Sequence, residues 1–199
     1  MVDQHDRAFK EWAVVCEAMK TGRQTVLVRK GGIREDDGVF RIEDMEFVLL
    51  PTYEHQDAEL LQPAFAAEVE RELNAGYDAR TIRIDAYATV EAIAVAGSEE
   101  RVNRLSDEYV WNADYVRMRF DYNPYDPLYV IMLRVYSLPE AVVLPARPEY
   151  GGCKSWVTLD RPLSTLGATP ALSDDEFARR RERVLDILQG EQLVTPGRG

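Results

Sequence analysis

The stretch TIRIDAYATVEAIAV, residues 81–95, decides how the rest of the chain is interpreted. Apolar and polar side chains alternate along its first half, in the order Ile82, Arg83, Ile84 and Asp85. A period of two places successive side chains on opposite faces of a strand. The pattern therefore predicts a long β-strand, and the segments on both sides are interpreted around it.

Four helices are predicted around that strand, from apolar residues at helical spacing and from the residue types that begin and end helices. They cover residues 6–21, 63–75, 98–105 and 174–189. Ser173 and Glu176 form a capping box, in which each side chain satisfies a backbone N–H of the first turn. This signal fixes the start of the last helix.

Short apolar runs predict further strands, over residues 25–28, 47–50, 115–120 and 128–138, and residues 151–159 are expected to form a last strand or a turn. Pro51 is expected to end the second of these, because proline lacks the N–H that a strand donates. A segment rich in Asn, Asp and Pro separates the third from the fourth, and this predicts an antiparallel hairpin. Because strands and long helices do not alternate regularly, the order predicts an α+β fold.

Length and composition bound the domain organisation. The chain has 199 residues, of which 46% are hydrophobic, enough for one core of ordinary size. We expect a single α+β domain over residues 1–160. Residues 161–199 are expected to be a C-terminal helical extension that ends in a disordered tail.

Charge and targeting signals exclude several classes of protein. The net charge of -11 argues against a non-specific nucleic-acid coat, because that binding depends on neutralising phosphates, although a local basic site stays open. No apolar run approaches the roughly 18 residues of a membrane span, and MVDQHDRAFK lacks the apolar core of a signal peptide. The expected location is cytoplasmic, with Cys16 and Cys153 as thiols.

Neither a zinc site nor a cofactor is predicted. The two histidines and two cysteines show no CxxC or HxxxH spacing, which zinc sites of ordinary geometry use. A magnesium site made of carboxylates alone stays open, although Asp36 and Asp37 suit a solvated turn better. Cys16 lies on the apolar side of the first predicted helix, so we expect a buried core thiol.

An anion site is one interpretation of the segment RKGG, which directly follows the predicted strand 25–28. The cations of Arg29 and Lys30 stand beside Gly31 and Gly32, whose backbone amides can approach a ligand closely. The segment lacks the full phosphate-loop pattern, and no clear helix follows it. The alternative is a glycine turn with exposed cations.

The segment PTYEHQ, residues 51–56, follows the predicted strand 47–50 and is the second candidate site. Tyr53 is suited to stacking on a base, and Glu54, His55 and Gln56 to reading its polar edges. His55 is also the residue that would serve as a general base, with Glu54 assisting. An ordinary polar loop is the alternative.

The segment GGCKSW, residues 151–156, carries a third candidate. Cys153 lies beside glycines and is followed by Lys154, so its thiolate could be favoured, and His55 could activate it. The alternative is a small residue in a tight turn. Lys154 is a further candidate contact to a ligand.

Tyrosines and a tryptophan are concentrated around the predicted hairpin. On one strand face they would form a stacking platform for bases, whereas half-buried tyrosines commonly cover the edge of a core. The set is Tyr109, Trp111, Tyr115, Tyr122, Tyr125, Tyr129 and Tyr136.

Four segments together resemble a bacterial family known as domain of unknown function 1802. They are FKEWAVVC at 9–16, RKGGI at 29–33, PTYEHQ at 51–56 and GGCKSW at 151–156. The resemblance covers nearly the whole chain and implies a bacterial cytoplasmic protein. It implies no activity, because none is assigned to the family.

A shorter resemblance bears on mechanism. The segment GRQTVLVR, residues 22–29, is similar to the GxKxxxxR signature of ASCH domains, a branch of the PUA-like folds. It implies a small mixed or antiparallel β-barrel, which here would carry flanking helices and a C-terminal helix, and a cleft that recognises RNA or modified bases. One branch hydrolyses acetylated cytidine with the signature lysine and a threonine. Gln24 and Leu27 occupy those positions here, and neither side chain can do that chemistry.

Three functions are carried forward. The first is a module that binds a nucleotide or a short single-stranded nucleic acid, such as RNA or a modified base, without hydrolysing it; Arg29 and Lys30 would meet phosphate. The second is a small-metabolite hydrolase or transferase that uses His55. The third is a protein-interaction domain with an acidic surface.

Overall fold

A computed structural model describes residues 3–30, 45–75, 78–123, 125–152 and 154–194, without the side chains of 72–75. Within these ranges the helices are α1 (Ala13–Lys20), α2 (Pro63–Ala75), α3 (Glu99–Asn103), α4 (Ala113–Asp121) and α5 (Asp174–Ile187). The strands are β1 (Gln4–Trp12), β2 (Val26–Arg29), β3 (Glu46–Thr52), β4 (Thr81–Val95), β5 (Tyr129–Pro145), β6 (Trp156–Ser164) and β7 (Thr169–Pro170). The predicted α+β class is confirmed.

All seven strands join one mixed sheet, in the order β2-β5-β4-β3-β1-β6, with β7 paired to β5. Only β1 and β3 pair in parallel among the described strands, and the other pairs are antiparallel. The ladder is an open path, so β2 and β6 are its two edges. Arg29 nevertheless connects the edges, since its guanidinium at the end of β2 donates to Ser155 Oγ beside β6.

Two clusters of buried side chains hold the sheet. In β1, Phe9 belongs to the larger cluster, together with residues of α1, α4 and α5, whereas Ala8 belongs to the smaller one. Leu49 and Leu50 of β3 divide in the same way. Adjacent strand residues therefore serve opposite faces, as the pleat requires.

The prediction for 81–95 is confirmed to the residue, because β4 covers Thr81–Val95. The start of α5 is confirmed as well, since Ser173 Oγ accepts from the backbone N–H of Glu176. Pro51 does not end β3, which continues to Thr52. Pro51 pairs with Glu11 in the parallel ladder, and β4 pairs with β3 only as far as Val48. The missing donor therefore falls at an unpaired edge.

The prediction of a helix over 6–21 is wrong in its first half. Residues 4–12 form β1, and α1 begins only at Ala13. The strand pairs with β3 and β6 along its two edges, and its faces are covered by the two clusters, to which Phe9 and Ala8 belong. Ala8, Phe9, Lys10 and Glu11 are consequently all buried, and a strand buried on both faces loses the alternation that would have identified it.

The predicted hairpin of 115–120 with 128–138 is also wrong. Residues 113–121 form α4, and β5 pairs with β4 instead. Asn112 caps α4, since its side-chain oxygen accepts from the N–H groups of Asp114 and Tyr115 at 3.0 and 3.1 Å. This cap begins a helix that the apparent alternation of apolar residues concealed.

Helix α5 packs on the domain through charge as well as apolar contact. Glu108 is fully buried and accepts from Thr25 Oγ1, Arg180 Nε and Arg183 Nη2, the last two at 2.7 and 2.6 Å. Phe177 belongs to the larger cluster. Residue 160, the predicted boundary, lies inside β6.

Residues 31–44 and 195–199 lie outside the described residues, so the predicted disordered tail stays a prediction. Within the described part of the chain, no helix has the length and apolar character needed to cross a membrane.

Candidate functional site

A cleft of about 420 Å³ lies between α1, the C-terminal end of β3, the first half of β4 and the segment after β5. Its apolar lining includes Ala13, Leu49, Ile82 and Tyr150, and Tyr53 stands in its wall. A volume of this size is at the small end of the range for ligand pockets, and such pockets combine apolar walls with a few polar groups. The cleft can therefore hold a molecule of roughly nucleoside size.

Lys10 supplies the most buried charge of the cleft. It lies on β1, two residues after Ala8, so it shares the face of the smaller cluster. Its Nζ donates to the carbonyl of Tyr150 at 3.1 Å and to the carbonyl of Gly152. These two carbonyl acceptors fix the position of the Lys10 side chain.

Lys20 and Asp85 form an ion pair that joins α1 to β4 inside the cleft. Lys20 Nζ lies 2.6 Å from Glu17 Oε2 and 3.1 Å from Asp85 Oδ2. Burial acts to lower the pKa of Lys20, but the hydrogen bonds that its ammonium donates to the carboxylates of Glu17 and Asp85 outweigh burial, and the pKa is raised. Asp85 Oδ2 also lies 3.3 Å from Arg83 Nε. The Asp85 carboxylate therefore forms ion pairs with two cations, Lys20 and Arg83.

The charges that line the cleft balance. The cations are Lys10, Lys20, Arg83 and Arg147, and the acids are Glu17, Glu54, Asp78 and Asp85. Arg147 is held in addition by Asp160 at 2.8 Å, outside the lining. A chain with a net charge of -11 therefore contains a cleft that is locally neutral.

The structure divides the predicted site PTYEHQ. Tyr53 and Glu54 line the cleft, whereas His55 and Gln56 are not among the lining residues. His55 is exposed and has a φ of 60°, a left-handed conformation that is uncommon for residues other than glycine. Gln56 Oε1 accepts from the N–H of Val14 at 3.0 Å, at the start of α1. The role of each in binding or catalysis stays a prediction.

Arg29 and Lys30 are held by the protein itself. Arg29 Nη1 lies 2.9 Å from Glu11 Oε2, and the guanidinium lies over the ring of Phe9, 4.9 Å from its centre. Lys30 Nζ donates to the carbonyl of Phe120 at 2.6 Å. Neither lines the cleft, so a phosphate bound in the cleft would not meet them in this arrangement. Gly31 and Gly32 lie outside the described residues.

Cys16 lies within the described residues, and Cys153 does not. Cys16 is buried, as expected, and burial together with the charge of Glu11 raises the pKa of its thiol, so it is protonated near neutral pH. Cys153 lies outside the described residues, so its pairing with His55 stays a prediction. Lys154 is exposed beside it.

Three of the seven residues of the aromatic set belong to the core. Tyr109, Trp111 and Tyr115 are buried, and the rings of Trp111 and Tyr115 stack at 4.5 Å. Tyr122 and Tyr125 are exposed, but the two lie beyond or at the end of α4 rather than on a strand face. No common stacking platform is formed by the described members of the set.

Positions that are catalytic in the hydrolase branch of the ASCH resemblance are structural here. Gln24 is buried, with Nε2 donating to the carbonyl of Val26 at 2.9 Å and Oε1 accepting from the N–H of Val110 at 3.1 Å. Leu27 is buried in the larger cluster. Neither lines the cleft.

Sequence reasoning missed Lys10, Lys20 and Asp85. Asp85 was recognised only as a polar residue in the alternation of β4, and Lys10 was hidden in a segment interpreted as helix. A signal was present for Lys20, because Glu17 precedes it by three residues on α1. Among the described residues no three His, Cys, Asp or Glu side chains are grouped so that they would hold a metal.

The chain matches one protein family and is similar to solved structures. Residues 8–183 match the family described as domain of unknown function DUF1802. A comparison with curated proteins found no match. The chain is similar to the crystal structure of ASCH from Zymomonas mobilis, at 14% identity and a TM-score of 0.39, covering 89% of this chain and 93% of that one. It is also similar to a serine-to-alanine mutant of that protein, at 13% identity and a TM-score of 0.41, covering 74% and 92%.

Proposed function

The chain belongs to the DUF1802 family, and we propose that it is a binding module whose cleft takes one nucleobase or nucleoside, free or within a short single strand, without hydrolysing it. The observation that carries the proposal is the cleft of about 420 Å³ with an aromatic side chain in its wall and paired charges around it. Clefts of this size and mixed lining suit a flat, polar ring.

Recognition of such a ring needs a stacking surface and polar groups at its edge. Tyr53 supplies an aromatic face, and Tyr150 supplies a second aromatic side chain of the lining. Glu54, Lys20 and Asp85 supply acceptors and a donor, which a base edge can match with its own N–H and carbonyl groups. Tyr53 and Glu54 therefore keep the roles that the sequence suggested.

Binding rather than hydrolysis is supported by the residues that the cleft lacks. Among the described residues, its lining includes neither histidine, and the cysteine that it does include, Cys16, has a thiol pKa raised by burial. A protonated thiol is a poor nucleophile. Lys10, held by two carbonyls, is suited to orienting a polar ligand atom.

Equilibrium binding measurements test the proposal. We expect nucleosides or short RNA and DNA oligonucleotides to bind at low salt. Tyr53→Ala should weaken binding by about 1–3 kcal/mol, the usual worth of a base stacked on an aromatic ring. Tyr53→Phe, which keeps the ring, should retain most of the affinity.

Tyr122→Ala is the matched control, because Tyr122 is exposed and lies outside the cleft lining. It should bind like the wild type. If no nucleoside and no oligonucleotide binds at low salt, the proposal is wrong. If Tyr53→Ala and Tyr122→Ala weaken binding equally, the ligand lies elsewhere.

A further inference from the structure

We propose that Asp85 sets the charge selectivity of the cleft, so that it admits an uncharged base or nucleoside and excludes a phosphate group. This inference rests on the proposed function and adds to it a residue and a chemical criterion for the ligand. It makes Asp85 a specificity-determining residue.

The position of Asp85 is unusual within its strand. The register between β4 and β5 shifts between Ile84 and Ala86, so Asp85 stands at a break in the ladder. Such irregularities change the direction in which a side chain points. The Asp85 carboxylate lies in the cleft with its side chain 25% exposed, although the strand around it is largely buried.

Asp85 neutralises two of the four cations of the cleft, Lys20 and Arg83, which would otherwise attract a phosphate. Its Oδ2 lies 3.1 Å from Lys20 Nζ and 3.3 Å from Arg83 Nε. Lys20 is bound by Glu17 on its other side, at 2.6 Å. A phosphate that approached Lys20 would meet the carboxylates of Glu17 and Asp85, which already contact the Lys20 ammonium. The negative charges of the phosphate and of these carboxylates would repel each other strongly in a partly desolvated site.

The same geometry suits the edge of a neutral base. Asp85 and Lys20 place an acceptor and a charged donor 3.1 Å apart. Nucleobase edges carry N–H donors next to carbonyl or ring-nitrogen acceptors, so one edge can engage both groups at once. A phosphate offers acceptors alone and cannot satisfy the carboxylate. The pair therefore favours the base and disfavours the phosphate through the same two atoms.

The test compares four nucleosides with their 5′-monophosphates by calorimetry, on the full chain at low salt. For the wild type we expect the nucleoside to bind more tightly than its monophosphate, with little dependence on salt. In Asp85→Asn the ratio of the two affinities should move toward the monophosphate by about tenfold, the usual scale for one charge-assisted contact. Binding of the monophosphate should then weaken as salt is added.

Two further variants make the result specific. Asp78→Asn removes one charge from the same lining but leaves the Lys20 pair intact, so it should shift the ratio by less than Asp85→Asn does. Asp85→Glu keeps the charge and should keep the preference for nucleosides. Circular dichroism establishes that each variant is folded, and the wild-type ratio alone tests the inference if Asp85→Asn does not fold.

The failures of the two proposals are distinguishable. If the wild type binds monophosphates more tightly than nucleosides, or if Asp85→Asn and Asp78→Asn change the ratio equally, the role of Asp85 is wrong and the proposed function stands. If neither class of ligand binds, both are overturned.

Discussion

Replacing Arg29 by methionine separates a structural role from a ligand contact. The sequence predicts that Arg29 meets phosphate, yet its side chain is 14% exposed and lies 2.9 Å from Glu11, whose side chain is 5% exposed. It also donates to Ser155 Oγ at 2.7 Å. Methionine keeps much of the apolar packing over Phe9 and removes the charge.

The cost follows from the partner that is left behind. Removing one member of a buried ion pair costs about 3–5 kcal/mol, because the other charge stays buried without compensation. Glu11 Oε1 keeps one bond, from the N–H of Trp12 at 2.9 Å, so we expect the lower end of that range. A domain of this size shifts its midpoint by about 2–4 °C per kcal/mol, so Arg29→Met should melt roughly 6–12 °C lower.

Urea and thermal unfolding followed by circular dichroism measure the effect. Arg117→Met is the control, because Arg117 is 60% exposed and its partners Asp114 and Glu99 lie at 3.3 and 3.6 Å on the surface. It should cost less than about 1 kcal/mol. Adding Glu11→Gln to Arg29→Met should restore part of the loss, since the stranded charge is removed.

One result would refute this reasoning. If Arg29→Met melts like the wild type and loses ligand binding, the guanidinium contacts the ligand, as the sequence suggested, and its contact with Glu11 contributes little. A less stable variant that binds nucleosides normally at a temperature where it is folded would support the structural role.

Three further predictions concern other parts of the chain. Glu108→Gln should lower the free energy of unfolding by about 3 kcal/mol, because Arg180 and Arg183 lose the fully buried carboxylate that they contact. In the same urea titration, the control Asp107→Asn, at the exposed neighbouring residue, should lower it by less than about 1 kcal/mol. His55→Asn should leave nucleoside affinity unchanged, since asparagine accepts the left-handed backbone and His55 is outside the lining; a loss of binding or of turnover would favour the catalytic alternative. Burial raises the pKa of the Cys16 thiol in the folded protein, so the thiol of the unfolded chain ionises at a lower pH. The urea midpoint of unfolding should therefore fall as the pH rises above about 8.5. In Cys16→Ala the midpoint should fall less steeply, and equal slopes for the two proteins would contradict this prediction.

Local signals were sufficient where one property of the sequence acted alone. The alternation of 81–95 located β4, and the Ser173 capping box located the start of α5. Both depend on contacts within a few residues. The α+β class followed from the order of such segments.

The misinterpreted segments are those in which tertiary context overrides the local pattern. Residues 4–12 lie between two other strands, and the burial of Lys10 and Glu11 in such a strand depends on partners far along the chain. In α4, the adjacent residues Tyr115 and Val116 are both buried. The buried face of a helix is wide enough to include two adjacent residues, whereas a strand with only one buried face alternates buried and exposed residues. Asn112 was the local signal for that helix.

The candidate site shows the same limit. Tyr53 and Glu54 were found because they follow a recognisable strand. Asp85 and Lys20 are distant in sequence, and their meeting depends on how α1 packs beside β4. Glu11 was predicted to lie in a helix, whereas it lies in β1. The ion pair between Arg29 and Glu11 was therefore not recognised, and Arg29 was predicted to be available for a ligand.

The position of β1 has a consequence for synthesis on the ribosome. β1 is made before β6, which is one of its two neighbours in the sheet, and the paired residues Arg7 and Thr158 are 151 positions apart. Translation at roughly 5–20 residues per second leaves this edge of β1 uncovered for roughly 8–30 seconds. The nascent chain therefore carries an open strand edge during that interval, when pairing with a neighbouring nascent chain competes with folding.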